Sequence, residues 1–389
     1  GETKMAIYLN NGATTWPKPE CVPRAMYEFL TGGGANLARG SAARRDIGTL
    51  DMVTTAREKL ASFFGGHAGG DSRYVTFTAN VTEALNVVLK GYLRKGHHVV
   101  TTSMEHNAVI RPLRRLEEEG VRLSILPCSP AGELDPAVLE DFLEKETVHL
   151  VVISHASNVC GTVQPVKEIS RTCSGHGVPL VLDAAQTGGV LDINSKELNL
   201  AALCFTGHKG LLGPQGIGGI LWEPAFAEKV APFVEGGTGS FSDKERQPET
   251  MPDKFEAGTP NLPGIAGLSS ALDWIEKTGR NTIRRREEAL GARLLEGLRG
   301  IAELETYGKD TIEGRLAVFA VNPPGGENGT LAMRLVEEWG IETRPGLHCA
   351  PLAHKTLGSF PQGALRISLG YFNTEEEVES VLKALESLL

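Results

Sequence analysis

A handful of short segments hold residue types that can do chemistry. Thr206-Gly207-His208-Lys209 closes an apolar run and opens a glycine-rich turn. A lysine there can attack a carbonyl carbon and hold it as a Schiff base, although a lysine taken alone is ordinarily solvated. Asp183 directly follows Val-Pro-Leu-Val-Leu and precedes Ala184-Ala185-Gln186. A carboxylate at the end of a buried strand needs a partner; a protonated ring nitrogen is one, a helix cap or an ion pair another. Thr78-Ala79-Asn80-Val81-Thr82-Glu83 joins a strand-like run to a helical one. Its N–H groups and the Thr82 hydroxyl suit a phosphate, or form an ordinary cap. Glu105-His106-Asn107 follows another strand-like run, and His106 there can stack on an aromatic ring, move protons or be structural. In Arg344-Pro345-Gly346-Leu347-His348-Cys349-Ala350 a cysteine sits in a Gly/Pro-bounded loop near an arginine and a histidine. Such surroundings stabilise a thiolate; the alternative is an inert core cysteine. Arg366, in an alternating strand, can fork onto a carboxylate or lie exposed.

These segments must be positioned by the elements between them. Strand-like runs cover 74–78, 98–102, 121–126, 149–153, 179–182, 201–205 and 218–222, and helical patterns begin near 82 and cover 108–119, 135–144 and 166–173. Continuous apolar strands alternating with helices predict a parallel or mostly parallel sheet covered on both faces. The stretch 235–255 is polar and reads as a long surface loop; 265–278 and 284–299 read as helices, and the last third as a smaller α+β unit closing with a helix over 374–388. In open α/β sheets ligands bind beyond the carboxyl ends of the strands. A phosphate turn, a ring-stacking histidine, a strand-end aspartate and a Schiff-base lysine, in this order along such a sheet, together describe a pyridoxal-phosphate site.

Composition narrows the classes. The 389 residues predict two or three domains. The 39 Lys and Arg against 48 Asp and Glu give a net charge of −9, the wrong sign for a nucleic-acid surface. No apolar run of about 18 residues is present, so no membrane span is expected. Six cysteines without a CxxC pair argue against a disulfide framework or a structural metal. A reducing, cytoplasmic setting is expected, and the first residues show no signal-peptide pattern.

From Tyr8-Leu-Asn-Asn-Gly-Ala-Thr-Thr to the last helix the chain resembles the class V aminotransferase superfamily of pyridoxal-phosphate enzymes, and within it the cysteine desulfurases and selenocysteine lyases. The resemblance rests on Thr82-Glu83, Glu105-His106, Ser157-Asn158 with Gly161-Thr162, Asp183-Ala-Ala-Gln186, Gly207-His208-Lys209, Phe255-Glu-Ala-Gly-Thr-Pro-Asn261 and the Arg344–Ala350 loop, which looks like the group II branch. It implies an α/β, fold type I pyridoxal-phosphate transferase: a large domain at 16–264 with a mostly parallel central sheet, and a small C-terminal α+β domain made of 1–15 and 265–389 that carries the Cys349 loop.

The resemblance also implies roles. Lys209 holds the cofactor and moves the substrate Cα proton. Asp183 keeps the ring nitrogen protonated, Gln186 meets the phenolate oxygen and His106 stacks on the ring. Asn158 lies near the cofactor oxygen and the substrate carboxylate. The phosphate falls to Thr82 with its neighbour Val81, to Thr206 and His208, and to Thr238 from a partner subunit of a homodimer. Arg366 binds the substrate carboxylate, with Arg344 beside the substrate. Cys349 takes sulfur from L-cysteine as a persulfide, leaving L-alanine, and passes it to a sulfur-acceptor protein, as in iron–sulfur cluster assembly. Selenocysteine lyase, acting on L-selenocysteine, or another C–S lyase is the alternative, and a class V transaminase or epimerase a further one. The chain departs from the family pattern at Asn10-Asn11-Gly12, at Val81 where a threonine is usual, at Asn107 and in the 238–254 loop.

Overall fold

The computed structural model describes residues 6–37, 40–67 and 69–389. Its strands in chain order are β1 (Ile7–Tyr8), β2 (Val75–Thr78), β3 (His98–Thr102), β4 (Arg122–Leu126), β5 (Leu150–Ser154), β6 (Leu180–Asp183), β7 (Ala202–Thr206), β8 (Gly218–Trp222), β9 (Glu305–Tyr307), β10 (Val318–Asn322), β11 (Ile341–Glu342) and β12 (Leu365–Ser368). Seven form one sheet in the order β2-β8-β7-β6-β5-β3-β4. The neighbours from β4 through β7 pair parallel, and β8 alone runs antiparallel to both of its neighbours, β7 and β2. The expected mostly parallel α/β architecture is therefore present.

Successive side chains of a strand point to opposite faces, and both faces here are apolar. Val151, Ile153, Leu180, Leu182, Leu203 and Phe205 enter one core. Leu150, Val152, Val181, Ala202 and Cys204 enter the other. This is why these strands read as continuous apolar runs rather than as alternating ones. At Gly219 the backbones approach so closely that a Cβ would lie 2.4 Å from the Thr76 carbonyl oxygen.

A second, antiparallel sheet runs β12-β10-β9, and β1 pairs with β11. Leu9, Phe319 and Ile367 pack there with Leu294 of the helix Arg280–Gly300 and with Val381 and Leu385 of the helix Glu375–Leu388. That last helix starts with a capping box between Thr374 and Glu377. The helix Leu262–Thr278, within which the expected 264/265 boundary falls, packs Ile265, Leu268, Leu272 and Ile275 on the large sheet.

One expectation is corrected. The 235–255 stretch is not a surface loop throughout. It has no helix or strand until its last turn, Asp253–Phe255, but there Asp253 and Lys254 are buried, and Phe255 stacks on Trp222 at 4.3 Å between ring centroids. Lys254 Nζ pairs with the Glu249 carboxylate at 2.9 Å and donates to the carbonyls of Ala227 and Glu228 at 3.2 and 3.3 Å, so its buried charge is compensated by an acid and by backbone. The helix after β2 begins at Val81, in agreement with the expected start near Thr82; Asn80 is its cap, and its side chain accepts from the Glu83 N–H.

Beside that turn, the buried Arg57 side chain meets Glu256. Arg57 Nη1 and Nη2 donate to the two carboxylate oxygens at 2.6 and 2.5 Å, and Glu256 Oε1 also accepts from the Phe77 N–H at 2.6 Å. One carboxylate thus ties the helix Arg44–Phe63 to β2. Glu256→Ala leaves a buried guanidinium without its counter-charge, and the expected loss is about 3 kcal/mol or more. Urea unfolding of the variant checks this, and a loss within about 0.5 kcal/mol, typical of a surface site, would contradict it.

Candidate active site

Register brings four strand ends to one rim. Ser154 pairs with Asp183, Asp183 with Cys204, and Thr206 with Gly218, which also pairs with Thr78. The turns after β2, β5, β6 and β7 therefore open side by side, at the place where an open α/β sheet binds ligands.

Asp183 is buried, with 4% of its surface exposed. Its Oδ1 accepts from the Ala185 N–H at 2.9 Å and its Oδ2 from the Ser154 hydroxyl at 3.3 Å. Burial pushes its carboxyl up, while the Ala185 N–H and the Lys209 charge pull it back. Lys209 lies in the glycine-rich loop closed by the Gly207 N–H, which donates to Ile217 O at 2.8 Å, and its own carbonyl accepts from the Leu212 N–H at 2.8 Å in a tight turn. Burial lowers its ammonium to about 8, against the opposing pull of Asp183; Arg366 and Arg344 lower it further. Lys209 is therefore closer to a nucleophilic amine at neutral pH than an ordinary lysine is.

Two polar atoms beside Lys209 are buried without a hydrogen-bond partner among the described residues: Thr206 Oγ1 and His208 Nδ1. Lys18 lies behind them, its Nζ donating to His208 O at 2.7 Å. Burial lowers Lys18 to about 8 and His208 to about 4. An anion seated against Thr206 and His208 would give both orphaned atoms a partner. The neighbouring turn offers Asn80, Val81 and Thr82; Thr82 is exposed and Val81 packs partly into the core.

His106 caps the helix Asn107–Glu118, its Nδ1 accepting from the Ala108 N–H at 2.9 Å. That bond requires an unprotonated Nδ1. Burial, then Lys209, Arg366, Arg111 and Arg344, hold the ring at about 4, so it is neutral at pH 7. Gln186 Nε2 donates to Gly12 O at 3.0 Å.

Arg366 is 2% exposed. Its Nη1 donates to Asn158 O and its Nη2 to Asn10 Oδ1, both at 3.0 Å, and its Nε is buried without a partner. Burial, with Arg344 beside it, lowers Arg366 to about 10. Its partners are neutral oxygens, and a buried guanidinium so held is suited to an incoming carboxylate. Arg344 bridges Arg366 backbone to backbone and is itself exposed.

The exposed Cys349 lies next along this loop, tied to the His106 helix by the Asn107 N–H, which donates to Cys349 O at 2.7 Å. Asn158 Nδ2 donates to His348 O at 2.7 Å. His348 and Cys349 both have left-handed backbones, φ 50° and 56°. His348 Nε2 can only donate to the Arg344 carbonyl at 2.8 Å, so its Nδ1 accepts from His354 Nε2 at 3.2 Å. His354 Nδ1 in turn accepts from the Ser359 hydroxyl at 2.7 Å. Burial keeps both rings neutral, His348 near 3 and His354 near 4.

Lys209, Asp183, His106, Asn158, Arg366, Arg344 and Cys349 thus converge, with Thr206 and His208 at one side. Thr238 stands apart. Its hydroxyl bonds within its own loop, to Ser240 O at 3.2 Å and to Ser240 Oγ at 3.0 Å. Sequence reasoning overlooked Ser154, Asn10 as the amide partner of Arg366, and the His354–Ser359 support. Ser154 ends its strand just as Asp183 does, and that shared position was the available signal.

The profile of the family described as aminotransferase class-V matches residues 7–381. A probable cysteine desulfurase of Methanothermobacter thermautotrophicus is 34% identical, over 98% of this chain and 94% of that protein. One of Pyrococcus abyssi is 33% identical, over 100% of this chain and 95% of that protein. The apo structure of a cysteine desulfurase from Thermococcus onnurineus NA1 superposes with a TM-score of 0.91 at 32% identity, covering 98% of this chain and 94% of that one.

Competitive labelling with acetic anhydride, on protein freed of bound aldehydes with hydroxylamine, reads the Lys209 amine directly. Its reactivity is expected to reach half-maximum near pH 8, below the 10.5 of an ordinary lysine. A profile matching that of the exposed lysines would contradict the electrostatics described.

Proposed function

The chain belongs to the aminotransferase class-V family, and from that premise we propose a pyridoxal-phosphate-dependent cysteine desulfurase that converts L-cysteine to L-alanine and keeps the sulfur as a persulfide on Cys349. The observation that carries this reading is the exposed Cys349 thiol, close enough to Lys209 and Arg366 for its charge to act on both. A transaminase or epimerase has no use for a thiol there.

The residues fit the cofactor. The orphaned Thr206 Oγ1 and His208 Nδ1 suit its phosphate, Asp183 its protonated ring nitrogen, Lys209 its aldehyde carbon, His106 its ring face and Gln186 its phenolate oxygen. When bound, pyridoxal phosphate supplies an electron sink that acidifies the substrate Cα.

The chain's own groups do the rest. Arg366 forks onto the substrate carboxylate, oriented by Asn158 and Asn10, with Arg344 beside it. The Lys209 amine takes the proton from the substrate Cα. His106, held neutral, adds no charge against the ring face. The Cys349 thiolate attacks the substrate sulfur; the S–S bond forms as the Cβ–S bond breaks, and the electron pair left on carbon takes up a proton. Cysteine and a thiol thereby become alanine and a persulfide, with atoms and electrons balanced. The two left-handed residues turn the thiol outward to where an acceptor protein reaches it.

A homodimer is part of the reading. Phe233, Val234 and Phe241, in the segment that carries Thr238, are 43–48% exposed. Covering them with a second copy would bring Thr238 toward the partner's phosphate site. A cytoplasmic role in sulfur donation, as for iron–sulfur assembly, is part of the same reading; no helix among the described residues is long and apolar enough to cross a membrane.

Alanine release is the test, with L-cysteine and L-selenocysteine run side by side. Cys349→Ala is expected to lose alanine formation from L-cysteine by about 10³-fold or more, the scale of removing a nucleophile. Undiminished turnover of L-cysteine by the variant would overturn the role of Cys349. Wild-type activity on L-selenocysteine alone would make the protein a selenocysteine lyase.

A further inference from the structure

Behind Asp183 lies a second carboxyl group that the reaction above does not use. Glu105 is fully buried, at 0% exposure. Its Oε1 accepts from the Thr102 hydroxyl at 2.7 Å. Its Oε2 lies 2.9 Å from Ser154 N and 2.7 Å from Ser154 Oγ. The same Ser154 Oγ lies 3.3 Å from Asp183 Oδ2. One serine hydroxyl thus stands between two buried carboxyl groups.

A hydroxyl carries one hydrogen and can donate it to one oxygen only. If both carboxyl groups were ionised, one lone-pair contact would remain unfilled, and two like charges would share a water-free space. One proton resolves both problems. Asp183 has the Lys209 charge and the Ala185 N–H to hold it as an anion. Among the described residues, Glu105 has no ion pair of its own. The titratable groups acting on it are Asp183 from β6 and, beyond β4, the half-buried Cys128. Burial raises Glu105 to about 7. Its short 2.7 Å contact to Ser154 is also the better place for the shared proton.

We propose that Glu105 is a neutral carboxylic acid that donates to Ser154 Oγ, so that the Ser154 hydroxyl donates to Asp183 and holds it as an oriented anion. Glu105 is then a positioning residue. It acts through Ser154 on the carboxylate assigned to the cofactor ring nitrogen, and in that assignment it rests on the proposed function. The proton arrangement itself needs no cofactor. No net transfer occurs: the proton stays on Glu105, and each hydrogen in the row has one donor and one acceptor.

Infrared difference spectroscopy on the purified protein, as isolated and at mildly acidic pH, tests this without an activity readout. Glu105→Gln copies the shape of the neutral acid. A protonated-carboxyl C=O band is expected in the wild-type protein, lost in Glu105→Gln, kept in Asp183→Asn and shifted to higher frequency in Ser154→Ala, where the acid loses its acceptor. Absence of a band that Glu105→Gln removes would overturn the proposal. So would a band that Asp183→Asn removes and Glu105→Gln keeps, which would put the proton on Asp183. If Glu105→Gln does not fold, Ser154→Ala decides: an unshifted band contradicts the row. Because the band does not depend on pyridoxal phosphate or on turnover, its presence in a protein that fails to desulfurise cysteine would separate failure of the proposed function from failure of this inference.

Discussion

Opposite charges held out of water at the ends of parallel strands are the constraint on which the rest of the molecule depends. Asp183 and Lys209 are drawn together where burial weakens both ionised forms. Removing an ion from water costs several kcal/mol even after relaxation. The fold offsets this with fixed dipoles: the Ala185 N–H and the Ser154 hydroxyl on Asp183, and tight glycine turns that bring Lys209 to the rim. Those dipoles stay in place only because β5, β6 and β7 are fully buried and packed on both faces. The apolar cores are therefore what let the polar rim exist.

The second sheet solves a different problem, that of presenting a thiol. Arg366 belongs to β12, and Arg344 pairs with it just before the Cys349 loop. A buried cation and an exposed thiol are thus fixed to the same short piece of backbone. A left-handed residue other than glycine costs on the order of 1–2 kcal/mol, and two stand in succession at His348 and Cys349. The neutral row from Arg344 O through His348 and His354 to Ser359, together with the Asn107 and Asn158 contacts, offsets that strain. The loop is strained and well bonded, which suits a side chain that must keep its direction while facing solvent.

Much of this was legible in the sequence. The alternation of apolar strands with helices marks the large sheet, and Asp183 closes a strand while Lys209 follows one in a turn, where ligand chemistry is expected. The helix Arg44–Phe63 was not legible, because Thr49 and Arg57 share its buried face with Val53, Ala56, Leu60 and Ala61 and blunt the apolar stripe. The 235–255 stretch misleads for a related reason. Lys254 and Asp253 look like surface charges and are buried, with Lys254 held by the Glu249 carboxylate and by backbone carbonyls. Ser154 escapes notice since a strand-end serine is chemically bland until the register sets it beside Asp183. Thr238 marks the limit of one chain. Its hydroxyl is satisfied within its own loop, so a role at a phosphate depends on a second copy.

The central claim is that Lys209 and Asp183 define a covalent pyridoxal-phosphate site. The most direct measurement is borohydride reduction of the protein saturated with pyridoxal phosphate, followed by peptide mapping. The account predicts a pyridoxyl group on Lys209, with little on the other lysines. Labelling spread over exposed lysines, with Lys209 unmodified, would contradict it.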